Sequence, residues 1–143
     1  YVLKAGIKKS YGIDPFELLE TDDIGMIHYQ NEDKITFKKT NDNLKKNNIH
    51  DSNIIIFKKF SNNINVSDLD NDIGLLFIDG DHNYDAVLND YNIFKNKVKE
   101  DGFIVFDDLH QEGPSAVFKK ILVDDDIELF GINITTLSSL EER

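Results

Sequence analysis

The residues GLLFIDGDHNY, positions 74–84, constrain this chain more than any other stretch. Leu75 to Ile78 are apolar without alternation, the pattern of a strand buried on both faces, as in a parallel sheet. The run then stops abruptly at two carboxylates and an imidazole: Asp79, Asp81 and His82. A carboxylate leaving an apolar strand needs a partner, a metal or water, because desolvating an unpaired charge is costly. The stretch is therefore either a strand that ends in solvent or the rim of a working site.

The rest of the chain sets that strand in a repeating order. YGID, residues 11–14, predicts a short strand stopped by Pro15, and residues 34–48 predict a helix with Ile35 and Leu44 among its apolar positions. NIIIF, residues 53–57, is a β-branched strand. Over residues 83–99, Tyr84, Val87, Leu88, Tyr91, Phe94 and Val98 keep the i, i+3, i+4, i+7 spacing of an amphipathic helix. Asp101-Gly102 predicts a turn into GFIVFDD, a second apolar strand that ends in acid. Pro114 fits the first turn of a helix, and residues 127–132 and 134–140 predict two further strands. This alternation predicts an α/β fold in one domain, residues 1–143: a doubly wound, mostly parallel sheet with helices on both faces and right-handed crossovers.

In such sheets ligands sit beyond the carboxyl ends of the strands. Asp14, Asp79 with Asp81, and Asp107 with Asp108 all fall at predicted carboxyl ends. Asp79 and the Asp107-Asp108 pair end strands separated by one crossover helix, so their strands are expected side by side, ~4.8 Å apart. Carboxylates at those tips can converge on one cation, and all-oxygen ligation suits Mg²⁺, Mn²⁺ or Ca²⁺ better than zinc. Each acid taken alone reads first as a helix cap or a solvated strand end, and only the three together point to a cation. Asp81 or His82, two and three residues after Asp79, can remove a proton from a hydroxyl; His110 lies near the same rim. His28 and His50 fall in predicted loops. Asp14 ends the first strand, where a carboxylate can accept hydrogen bonds from the vicinal hydroxyls of a ribose.

Composition bounds the alternatives. A net charge of −11 disfavours a surface that tracks nucleic-acid phosphates, and the lysines of KKTNDNLKK, residues 38–46, read as a solvated helix face. The absence of cysteine removes disulfides, thiolate metal sites and a cysteine nucleophile. No apolar run is long enough to cross a bilayer and the first residues do not form a signal peptide, so a cytoplasmic location without membrane contact is expected.

With these residues assembled, the chain resembles the class I S-adenosylmethionine-dependent methyltransferases, which have a Rossmann-like fold. The likeness is to the metal-dependent branch acting on sugar and small-molecule hydroxyls. YGIDPF resembles the family's second strand, LLFIDGDHNYDAVLNDYNIF its fourth strand and following helix, and DGFIVFDDLH its glycine turn, fifth strand and acidic pair. The resemblance implies that Asp14 and Ser61 contact the cofactor, with Asp79 beside them. It also implies that Asp79, Asp107 and Asp108 hold a divalent cation and that Asp81 or His82 is the general base. The family's first strand and glycine-rich loop have no counterpart, so the chain reads as N-terminally truncated, with residues 1–10 as the tail of the helix after that loop. Two other readings remain open at this stage: a glycosyltransferase using Asp79-Gly80-Asp81 as a D-x-D motif, and a domain that keeps the sheet without the chemistry. Acceptor and oligomeric state are not legible; residues 17–33 and Gln111-Glu112 are the candidate lids.

Overall fold

The computed structural model describes residues 9–16, 37–49, 53–123 and 127–131. By its contacts the chain divides into two units, Tyr1–Ile64 and Asn65–Arg143.

The first unit holds β1 (Ser10–Ile13), α1 (Phe37–Lys46), β2 (Ile54–Phe57) and one 3-10 turn at Ser61–Asn63. β1 and β2 pair in parallel, Ser10 opposite Ile54 and Ile13 opposite Phe57. The ladder runs one bond further, with the Asp14 amide donating to the Phe57 carbonyl at 3.1 Å. Pro15, which has no amide to offer, follows the strand end. α1 is the expected helix, and Lys38, Lys39, Lys45 and Lys46 are exposed on it as a solvated face. Lys45 and Lys46 sit in its last turn, where cations complement the helix dipole. Asn48 follows with φ 57°, closing the helix in the left-handed conformation that asparagine tolerates.

The second unit holds a 3-10 turn at Val66–Asp68, β3 (Ile73–Ile78), α2 (Tyr84–Phe94), a 3-10 turn at Lys95–Lys97, β4 (Val98–Phe106) and α3 (Glu112–Ile121). β3 and β4 are parallel neighbours, Leu75 opposite Phe103 and Ile78 opposite Phe106. The core is Ile78, Val87, Tyr91, Val117 and Ile121, with Leu76, Ile104 and Phe106 packed against it. Val87, Tyr91 and Phe94 are the buried positions of α2, spaced as the sequence pattern requires. Inward and outward residues alternate along both strands. Leu76, Ile78, Ile104 and Phe106 meet the helices, while Leu75, Phe77, Phe103 and Val105 are 47, 53, 50 and 40 % exposed. The expectation of burial on both faces therefore fails for residues 75–78: among the described residues, the core gathers on one face of this ladder.

Three other expectations change. The helix expected over residues 83–99 ends at Phe94, because Val98 leaves the helical pattern to pair with Ile73. The turn at Asp101-Gly102 lies inside β4 as an irregularity, with the register jumping from Ile73–Val98 to Leu75–Phe103. Asp101 has φ 61° there. Residues 127–131 form no ladder, and the strand expected over 134–140 lies outside the described residues, as do residues 1–8 and 17–33. The described strands form two two-stranded parallel sheets; a single doubly wound sheet is not seen among them.

Candidate functional site

The carboxyl ends of β3 and β4 build one rim. Beyond the last ladder pair, the Asp107 amide donates to the Ile78 carbonyl at 3.0 Å, which fixes the start of the second acidic pair beside Asp79. Asp79, Asp81, His82, Asp107 and Asp108 line a single small cleft, floored by Ile78 and Phe106. Its enclosed volume of about 10 Å³ admits about one water. Strand order thus brings these five side chains to one rim.

Each side chain has a local reason for its place. Asp81 Oδ1 accepts from the Asn83 amide at 2.9 Å and from Asn83 Nδ2 at 2.6 Å. This closes the turn that leads into α2, the local role that Asp commonly takes before a helix. Asp107 Oδ1 accepts from the Asp108 amide at 2.8 Å. Asp108 has φ 50°, a left-handed conformation uncommon for a residue with a Cβ, and its carbonyl accepts from the Gln111 amide at 2.8 Å. Its carboxylate faces two imidazoles. His82 Nε2 stands 2.8 Å from Oδ2, and His110 Nδ1 stands 3.5 Å from Oδ1. His82 and Asp108 are both about one-third exposed, at 31 and 32 %.

Burial pushes the Asp79 carboxyl above its ordinary value; the negative charges of Asp107 and Asp108 push it the same way, and His82 opposes them.

The donor set has the oxygen chemistry of a hard divalent cation, but its arrangement does not fit one. Among the described residues no group of three or more His, Asp or Glu side chains is placed to hold a metal. Asp108, expected as a ligand, is turned to the imidazoles instead. Residue spacing alone does not distinguish these two partners, since both lie at the same strand end.

Asp14 and Ser61 belong to the first unit. Asp14 is exposed at the carboxyl end of β1 and its Oδ1 accepts from the Phe16 amide. Its remaining acceptor capacity suits a pair of hydroxyls, as a ribose presents. Ser61 opens the 3-10 turn after β2 and is half-buried. Gln111 and Glu112, expected as a lid, are the N-cap and first residue of α3. His28 and His50 lie outside the described residues. One residue that sequence reasoning passed over is Gly113, which lies against the His82 backbone; its only signal was a glycine just before Pro114.

No described helix is long and apolar enough to cross a membrane. In comparisons with known proteins, a family model described as a methyltransferase domain matches residues 3–109. An uncharacterised protein of Acanthamoeba polyphaga mimivirus is 45% identical over 75 residues, covering 47% of this chain and 34% of that protein. The match thus spans about a third of that relative's length. No solved structure matches. The family model covers most of the chain, including β1, β2, β3, α2, β4 and the whole acidic rim: the chain belongs to the methyltransferase-domain family.

Proposed function

We propose that this chain is the catalytic part of an enzyme that moves a methyl group from S-adenosylmethionine to a hydroxyl of a small molecule or sugar. In this reading His82 is the proton acceptor and Asp108 holds it in place. The observation that carries this is the 2.8 Å contact between His82 Nε2 and Asp108 Oδ2 at the carboxyl ends of two parallel strands. It supports His82 over Asp81 as the base, because Asp81 is engaged in closing the turn at Asn83.

When bound, S-adenosylmethionine supplies an electrophilic methyl on a sulfonium. Asp14 would accept hydrogen bonds from its ribose hydroxyls, and Ser61 would contact the adenosine side. The Asp108 carboxylate favours the imidazole tautomer with its proton on Nε2, which makes Nδ1 the nitrogen that accepts the acceptor's proton. His82 would take the proton from the acceptor hydroxyl as its oxygen bonds to the methyl carbon, and the bond from that carbon to the sulfonium sulfur would break, releasing S-adenosylhomocysteine. Juxtaposing the two reactants contributes much of the rate, since methyl transfer asks little covalent chemistry of the protein.

The test is formation of S-adenosylhomocysteine by the full-length protein with a panel of hydroxylated acceptors. His82→Ala is expected to lower kcat by about 10²–10⁴-fold with KM for S-adenosylmethionine unchanged. Asp14→Ala is expected to weaken S-adenosylhomocysteine binding by about tenfold. Undiminished turnover in His82→Ala overturns the assignment of the base, and failure of the wild type to bind S-adenosylhomocysteine overturns the whole reading.

A cation-assisted form of the same reaction is a second reading, suggested by the carboxylates that share this cleft, although their described arrangement does not fit a cation. Asp79, Asp107 and Asp108 would have to rearrange to serve as ligands for Mg²⁺, Mn²⁺ or Ca²⁺, since Asp108 is turned to His82 and His110. Turnover lost in EDTA and restored by Mg²⁺ supports this form; turnover indifferent to EDTA removes it. The glycosyltransferase reading of Asp79-Gly80-Asp81 gains no support from the family to which the chain belongs.

A further inference from the structure

The contact between His82 and Asp108 joins two separate loops, and its geometry depends on how those loops are held. Asp108 is fixed by its own strand and turn: the Asp107 amide is bonded to β3, and the Asp108 carbonyl takes the Gln111 amide. His82 stands on the short connection between β3 and α2. Asp81 ties the distal side of that connection to Asn83. The other restraint comes from the first turn of α3.

There, Gly113 meets the connection backbone to backbone. A Cβ placed on Gly113 would lie 1.9 Å from the His82 carbonyl oxygen, 2.8 Å from the Tyr84 nitrogen and 3.0 Å from the His82 carbonyl carbon. None of these atoms belongs to a flexible side chain that can swing aside. By contrast, a Cβ on Gly74 would meet only the end of the Lys99 side chain, at 3.8 Å. The neighbouring Pro114 is buried, and Val117 one turn later is fully buried, so α3 has no slack on its core side. A side chain at 113 must therefore displace the main chain of residues 82–84 or lift the start of α3.

We infer that Gly113 is a positioning residue for the His82–Asp108 pair. Its missing side chain lets the first turn of α3 press on the His82 carbonyl, and this close approach sets the imidazole at hydrogen-bond distance from the Asp108 carboxylate. Glycine is the residue that permits backbone to approach backbone so closely. The inference rests on the proposed role of His82 for its catalytic consequence, but not for its geometry.

The experiment uses the full-length protein with its histidine side chains labelled with ¹⁵N. Gly113→Ala is expected to remain folded by circular dichroism, to lose the His82 resonance pattern that marks an Nε2–carboxylate hydrogen bond, and to lower kcat by about 10²-fold with KM for S-adenosylmethionine unchanged. Gly74→Ala is expected to leave the His82 resonances as in the wild type. A folded Gly113→Ala protein with unaltered His82 resonances overturns the inference. Should that variant not fold, the wild type decides: a strong NOE between the Gly113 Hα protons and the Tyr84 amide proton supports the close approach, and its absence overturns it. The resonance and NOE readouts stand even for a protein that methylates none of the acceptors, so failure here is distinguishable from failure of the proposed activity.

Discussion

At the scale of single residues, the rim is a case of like charges held together by main-chain geometry. Asp79 cannot leave Asp107, because the backbone bond from Asp107 to Ile78 extends the ladder past its last side-chain pair. Burial and that proximity raise the Asp79 carboxyl. The folded state therefore binds a proton at Asp79 more tightly than the unfolded chain does. Between the ordinary carboxylate range and the raised value, the folded protein carries the extra proton, so this residue's contribution to stability falls as pH rises through that window. At neutral pH the ionised Asp79 is a net cost. Asp79→Asn is accordingly expected to melt higher than wild type at pH 7, with the difference disappearing as the pH falls below the ordinary carboxylate range. The gain is small, because a side chain this exposed is well screened by water. Thermal melts of both proteins across that range check it, and a lower melting temperature for the variant at pH 7 would falsify the account of the rim.

At the scale of elements, β4 shows where sequence patterns stop being legible. The apolar run 103–106, its acidic end and the helix before it were all readable, because strand and helix periods differ clearly over those windows. The junction was not. Val98 lies four residues after Phe94 and so continues a helical stripe as well as it begins a strand; only its pairing with Ile73 decides, and that partner is remote in sequence. The same remoteness hid the partner of Asp108. Its place at a strand end follows from strand order, whereas its turn toward His82 accompanies a left-handed backbone at 108 and the bond from the Gln111 amide to its carbonyl. An unbroken apolar run likewise does not say which face the helices will cover, so the exposure of Leu75 and Phe77 is not legible in residues 75–78.

The irregularity itself is testable. Asp101 sits at φ 61°, and a Cβ on Gly102 would lie 2.6 Å from Val98 Cγ1, 2.9 Å from the Lys99 carbonyl oxygen and 3.1 Å from that of Ile73. Gly102→Ala is expected to cost about 1–3 kcal/mol in urea unfolding through overpacking. Asp101→Gly is expected to be neutral or mildly stabilising, since glycine adopts positive φ without steric penalty. A Gly102→Ala protein as stable as wild type would mean that β4 does not bend where it is described as bending.

At the scale of the whole molecule, the charge excess that defines the rim is general: 27 acidic residues against 16 basic give a net charge of −11. Self-repulsion of that kind opposes the compact state and is screened by salt. The screening length shrinks from about 30 Å at 0.01 M to about 10 Å at 0.1 M, so across that interval repulsion between distant acids fades while close pairs such as His82–Asp108 persist. The melting temperature is therefore expected to rise by a few degrees when NaCl is increased over this range. MgCl₂ at the same ionic strength separates screening from site binding. If both salts raise the melting temperature equally, diffuse screening accounts for the whole effect. A further rise with Mg²⁺ that disappears in Asp107→Ala locates an ion at the rim, and it must then come with a change in the His82 resonances, because the carboxylate that would complete such a site is the one that His82 engages. A melting temperature that falls with added NaCl would contradict the premise that net repulsion, rather than attraction between opposite charges, dominates this surface.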